Sequence, residues 1–131
     1  MNPRACRETE LNYLPASLKK KVAVVGAGPA GLAAACVLVE RGHFVQLFES
    51  AAEIGGQFNM AKRIPGKEEF HETLRYFRIR LARLGIQVWL NQRVTAEQLV
   101  QGRFDEVVLA TGVMPRSPHI AGQDHPKVLS Y

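Results

Sequence analysis

Residues 21–49, KVAVVGAGPAGLAAACVLVERGHFVQLFE, leave few folds open. A short apolar run, 22–25, leads into Gly26-Ala27-Gly28-Pro29-Ala30-Gly31. A segment of small residues follows, then a second apolar run, 44–48, that stops on Glu49. Strand, glycine turn, helix, strand and acid in that order make a βαβ unit. Glu49 lies 18 residues beyond Gly31 (49 − 31), about where a ribose-binding carboxylate belongs.

Each part has a physical task. Gly26 lets the chain turn sharply out of the strand, Gly28 leaves room for a diphosphate to approach the backbone, and Gly31 lets the helix pack closely on the strand. Pro29 suits a first helical position, where no N–H is needed. The free N–H groups and positive dipole end of that helix then face the diphosphate. Glu49 is expected to accept hydrogen bonds from an adenosine ribose, and its charge repels a 2′-phosphate, which disfavours NADP in this unit. Glycines also mark ordinary turns. Here the agreement of strand, helix, second strand and acid, rather than the glycines alone, points to a dinucleotide site.

The 131 residues suffice for one core, and 47% hydrophobic with 22% charged residues is ordinary for a soluble globular chain. No apolar run approaches a membrane span, and the polar start, MNPRACRETE, lacks the apolar centre of a secretory signal, so a cytoplasmic location is the default expectation. The net charge of +5 is spread over residues 19–21, 62–67 and 75–83. That spread reads as solvated surface with some attraction for an anionic cofactor, not as a nucleic-acid stripe. Cys6 and Cys36 have no metal-ligand spacing. Cys36, inside the small-residue helix, is expected to be a buried small hydrophobe.

In chain order, residues 1–20 show no periodicity and read as a linker from something upstream, with Leu11, Tyr13 and Leu14 available to pack on the domain. The first helix is expected over 29–41, its packing face made by Ala30, Ala33, Ala34 and Val37, with Gly42 ending it. Residues 50–70 read as a loop containing the doublet Gly55-Gly56 followed by Gln57, where backbone passes close to a bound dinucleotide. Over 68–84, Phe70, Leu74, Phe77, Leu81 and Leu84 recur at helical spacing while the arginines fall largely off that stripe. His71 there reads as a surface residue, since no partner for acid–base work is identifiable nearby. A third strand is expected over 86–90, with Trp89 covering a sheet face, and Val94 beyond it at an adenine-contacting edge. Thr95 and Gln98 have capping-box spacing for a helix over 96–100. A fourth strand, 104–110, runs into Thr111-Gly112, and the tail reads as a crossover toward a further domain. This succession predicts an α/β, Rossmann-like, doubly wound and mainly parallel sheet of order 3-2-1-4. The ligand then sits above the carboxyl ends, where residues 26–31, Glu49 and Ala110, Thr111 and Gly112 converge.

VVGAGPAGL, LFE, EIGGQF and FDEVVLATGVMPR, in that order, resemble the flavoproteins with two dinucleotide-binding domains, whose first domain binds FAD. NPRAC at 2–6, EIGGQFNMAKRIPGKEEFHETLRYF at 53–77 and HPKVLSY at 125–131 further resemble the bacterial 2,4-dienoyl-CoA reductases, which belong with trimethylamine dehydrogenase and related modular flavoenzymes. The resemblance runs over essentially the whole chain. It implies the N-terminal part of an FAD-binding domain, residues 21–131. An FMN-binding barrel and a 4Fe-4S segment would precede it, and an NADPH-binding domain would follow. It assigns Gly26, Gly28, Ala30 and Gly31, with Pro29 among them, to the FAD diphosphate turn. Glu49 goes to the ribose, Gly55, Gly56 and Gln57 to the adjoining loop, and Ala110, Thr111 and Gly112 to the second diphosphate edge. Lys67 and Val94 are further cofactor-binding candidates. No metal ligand and no catalytic acid or base is assigned within these residues.

In the whole enzyme the resemblance implies electron transfer from NADPH through FAD, the cluster and FMN to a 2,4-dienoyl-CoA in fatty-acid β-oxidation, and no turnover by these 131 residues alone. The partners implied are the dinucleotide and the barrel and NADPH-binding domains of the same polypeptide, with no nucleic acid and no membrane. Two other readings stay open: the FAD half of another barrel-containing NAD(P)H:flavin oxidoreductase, and a non-catalytic module that holds ADP or NAD.

Overall fold

A computed structural model describes residues 4–114 and 116–128. The parts of the leader and tail readings that fall on residues 1–3, 115 and 129–131 lie outside the described residues. Four strands, β1 (Lys21–Val25), β2 (Phe44–Phe48), β3 (Gln87–Trp89) and β4 (Glu106–Leu109), form one sheet of order β3-β2-β1-β4. Every pairing is parallel, with Val24 opposite Leu47 on one side and Val108 on the other. The predicted architecture is therefore the observed one.

The strands and helices are built by different patterns. β1 is apolar at four consecutive positions because both of its faces are covered: Val22, Ala23 and Val24 are all buried. Val22, Val24, Val45 and Leu47 share one face by register and alternation, and they meet Leu32, Ala35 and Cys36 of α1 (Pro29–Glu40) and Leu81 of α3 (Glu69–Arg83) in one core. On α3 the stripe read from the sequence is the buried one, with Leu74 and Leu81 inside, while Arg75, Arg78 and Arg83 are exposed. Arg80 reaches back to pair with Glu40 of α1.

Both long helices end alike. Gly42 N–H donates to the Val39 carbonyl and His43 N–H to Leu38; Gly85 N–H donates to Ala82 and Ile86 N–H to Leu81. These are paired 5→2 and 6→1 bonds that turn the chain into the next strand. α4 (Ala96–Gln101) opens on the predicted capping box: the Thr95 side chain accepts from Gln98 N–H and the Gln98 side chain accepts from Thr95 N–H.

Four expectations are corrected. The packing face of α1 is Gly31, Leu32, Ala35 and Cys36, with Ala30 and Ala33 exposed, because contact at Gly31 sets the rotation of the helix. Residues 50–70 are not all loop. A single helical turn, α2 (Phe58–Ala61), lies among them, and Phe58 packs on Phe70 with ring centroids 4.6 Å apart. Trp89 is 43% exposed on the edge strand β3 and covers its sheet face only in part. Leu14 in the leader stays 70% exposed, while Leu11 is half-buried. Among the described residues no helix is long and apolar enough to cross a membrane.

Candidate dinucleotide site

The glycine turn is held at the carboxyl ends of the strands by its neighbours on both sides. Gly26 N–H donates to the Phe48 carbonyl of β2 at 2.7 Å, and Ala110 N–H donates to the Val25 carbonyl of β1 at 2.8 Å. Gly26 has φ +104°, and a Cβ placed on it would lie 2.3 Å from the Ala110 carbonyl oxygen. A Cβ on Gly31 would lie 1.8 Å from the Gly26 carbonyl oxygen and 3.3 Å from Ala110 Cβ. Residues 26 and 31 are thus glycine because protein backbone fills the space.

Gly28 differs. It is the N-cap of α1, extended at φ −72° and ψ 178° as a residue before proline should be, and a Cβ on it would meet nothing within 4 Å. No side chain caps this helix and no acid lies in its first turn, so its leading N–H groups are left for another acceptor. An open glycine, uncapped donors and the positive end of a twelve-residue helix fit an anionic diphosphate. The residues present therefore suit the cofactor that the motif implies.

Glu49 is 8% exposed, and its carboxylate is already engaged. One oxygen accepts Ala27 N–H at 2.7 Å; the other accepts Ala51 N–H at 2.8 Å and the Ser50 hydroxyl at 3.2 Å. Of the roughly four acceptor positions of a carboxylate, one then remains, on the oxygen that faces the turn. Its backbone is fixed as well: Glu49 N–H donates to Trp89 and Gln92 N–H donates to Glu49. Glu49 therefore ties β2, β3 and the glycine turn together before any ribose is considered.

The doublet reaches the same place. Gly55 N–H donates to the Ala27 carbonyl at 2.8 Å, and a Cβ on Gly56 would sit 3.1 Å from Gly28 Cα. Thr111 and Gly112 are exposed beyond Ala110, and Gly112, at φ +79°, has open space where a Cβ would stand. The three signals read along the chain are thus brought together. Gln57 is exposed at the start of α2 beside the doublet. Lys67 and Val94 are not tied to the turn. Lys67 is exposed before α3 with its N–H on the Ile64 carbonyl, and Val94 is half-buried between β3 and α4. Two open cavities of about 460 and 660 Å³ lie elsewhere, near Lys20, His43 and Glu106 and near Phe44 and Gly85, and no residue of the turn lines either.

Reading the sequence missed Asn59 and Lys62. The Asn59 side-chain amide donates to the Ile54 carbonyl at 3.1 Å and accepts from Lys62 Nζ at 2.8 Å, directly under the doublet. The available signal was a polar pair in and after the otherwise apolar turn FNMA. His71 is exposed, and Cys36 is buried, where loss of solvation pushes its thiol pKa up. Among the described residues no group of three or more His, Cys, Asp or Glu is placed to hold a metal.

The pyridine nucleotide-disulphide oxidoreductase family matches residues 20–130, and the chain belongs to it. It has the Rossmann-like fold of that family's FAD-binding fragment. The chain is 35% identical to a metal reductase of Desulforamulus reducens over 98% of its own length and 20% of the relative's. It is 39% identical to an NADH oxidase of Thermoanaerobacter brockii over 95% of its own length and 19% of the relative's. Among solved structures, a 2-naphthoyl-CoA reductase in complex with 2-naphthoyl-CoA superposes with a TM-score of 0.89 at 38% identity, over 95% of this chain and 19% of that one. The chain spans about a fifth of the length of the relatives it matches.

Proposed function

We propose that this chain supplies the FAD site of a modular flavin- and iron–sulfur-dependent oxidoreductase, and that residues 21–131 are the N-terminal part of its FAD-binding domain. The observation that carries the proposal is the meeting of the open Gly28, the uncapped start of α1, the Gly55-Gly56 doublet and Ala110 at one sheet edge. In this reading, Gly26, Gly28, Pro29, Ala30 and Gly31 hold the diphosphate, with Ala110, Thr111 and Gly112 at its second edge. Glu49 offers its remaining acceptor position to the adenosine ribose. Gly55, Gly56 and Gln57 line the near side, and Lys67 and Val94 are peripheral contacts.

The bound flavin supplies the redox chemistry, and this chain contributes binding, orientation and electrostatics. Glu49 sits where a 2′-phosphate would be repelled, so NADPH binds elsewhere in the whole protein. There the proposed sequence of carriers is NADPH, FAD, a 4Fe-4S cluster and FMN, ending on an unsaturated acyl-CoA of the 2,4-dienoyl type. One relative that superposes on this stretch, the 2-naphthoyl-CoA reductase, takes a CoA thioester, which is in keeping with this reading.

A second reading has its own support. Relatives of similar identity over this same stretch are a metal reductase and an NADH oxidase, so these residues do not set the substrate. Another NAD(P)H:flavin oxidoreductase with the same FAD part accommodates everything seen here. Titration of the purified protein with FAD, ADP and NAD tests the cofactor. Saturable uptake of FAD with a perturbed flavin absorption spectrum is expected. A colourless protein that binds only ADP or NAD would establish a nucleotide module instead.

A further inference from the structure

The peptide between Ile54 and Gly55 is clamped from both ends. Its N–H donates to the Ala27 carbonyl in the glycine turn at 2.8 Å, and its carbonyl accepts from the Asn59 side chain at 3.1 Å. Because the peptide is planar and trans, holding its oxygen also fixes the direction of its N–H. The Asn59 amide is itself oriented without ambiguity. Lys62 Nζ, 2.8 Å away, can only donate and so faces Oδ1, while the Ile54 carbonyl can only accept and so faces Nδ2. The Lys62 side chain is 12% exposed and lies 3.5 Å from Glu53, which Arg78 approaches at 3.4 Å. Space is tight on this side: a Cβ on Gly55 would lie 2.8 Å from Leu74 and 2.9 Å from Asn59 Oδ1. On the other side of the doublet, Gly56 abuts Gly28.

We infer that Asn59, oriented by Lys62, is the positioning residue that sets the Gly55-Gly56 backbone against Gly28 and so fixes the width of the cofactor cradle. The inference rests on the FAD reading of that cradle, although the clamp itself is a property of the protein alone. Loss of the Asn59 donor leaves the Ile54 carbonyl unpartnered and lets the peptide rotate, which loosens Gly55 N–H from Ala27. Lys62 acts one step further back, by holding the amide in the useful orientation.

Asn59→Asp tests this at nearly constant volume: it keeps an acceptor for Lys62, removes the donor to Ile54 and sets a carboxylate oxygen against that carbonyl. Residue-resolved amide exchange without cofactor and FAD titration are run on wild type, Asn59→Asp and Lys62→Met. The Gly55 amide is expected to exchange about tenfold faster in Asn59→Asp, with the core amides of Ala23 and Val24 unchanged, and FAD to dissociate about tenfold more readily. Lys62→Met is expected to move both in the same direction by less. Equal Gly55 protection in Asn59→Asp and wild type overturns the inference. So does a loss of protection shared by Ala23 and Val24, which marks general destabilisation, or a loosened Gly55 with unchanged FAD affinity. If wild type binds no FAD, the cofactor reading and the cradle role both fall, and Gly55 exchange still decides whether Asn59 holds the doublet.

Discussion

Gly31 and Gly28 stand three positions apart in one turn, and their surroundings are opposite. At Gly31, as at Gly26, the place of a side chain is taken by backbone: the Gly26 and Ala110 carbonyls lie where a Cβ would go. At Gly28 the same test finds open space, on a residue whose φ and ψ any amino acid adopts. The inner wall of the turn is glycine for folding. The outer lip has no folding reason to be glycine, and that is the physical ground for assigning it to a ligand. One motif therefore separates into a stability part and a binding part, which substitutions can pull apart.

The largest effect falls on the inner wall. Gly31→Ala drives a methyl group into the Gly26 carbonyl and is expected to cost about 3 kcal/mol, the upper end for overpacking, read as a lower urea midpoint. A Gly31→Ala protein as stable as wild type would erase the distinction between the walls. Glu49 comes next because it belongs to both parts. Glu49→Gln sets an amide nitrogen against either Ala27 N–H or Ala51 N–H, so a loss of about 2 kcal/mol is expected alongside weaker FAD binding. Weaker FAD binding with unchanged stability would mean that the carboxylate serves the ribose alone.

The smallest effect lies on the exposed face of α3. Arg75 hydrogen-bonds Glu72 and holds its carboxyl below the usual carboxylate range. A depressed folded-state pKa contributes stability that is present above the unfolded pKa and lost as pH falls through the folded one. The pair is solvent-exposed, so Glu72→Gln should flatten acid unfolding curves only slightly. A large change would mean that α3 matters more to the sheet edge than its geometry shows.

Most of the framework was legible because its signals are local. β1 is a continuous apolar run over 22–25, β2 is apolar but for Gln46, the stripe from Phe70 to Leu84 has helical spacing, and Thr95 with Gln98 is a cap readable from four residues. The meeting of Glu49 and Ala110 with the turn followed from strand order, since a parallel sheet puts these strand ends on one edge. The face of α1 was not legible: AGLAAACVLV has no polar residue to mark a side, and its rotation comes from the contact of Gly31 with Gly26. α2 is one turn long, too short to show a period. Asn59 and Lys62 escaped because their roles depend on where the Ile54 carbonyl points. Glu49 was read as a ribose ligand from spacing, and only the structure shows that three protein donors already use it.

On the FAD reading, the cofactor diphosphate lies at the open lip of Gly28. FAD titration of Gly28→Val beside wild type, with urea unfolding of both, tests it most directly. Unfolding free energies within about 1 kcal/mol of each other are expected, the scale of changing an N-cap residue. FAD affinity is expected to fall at least about tenfold, because a side chain stands in the diphosphate's place. A folded Gly28→Val protein that binds FAD as tightly as wild type would contradict it.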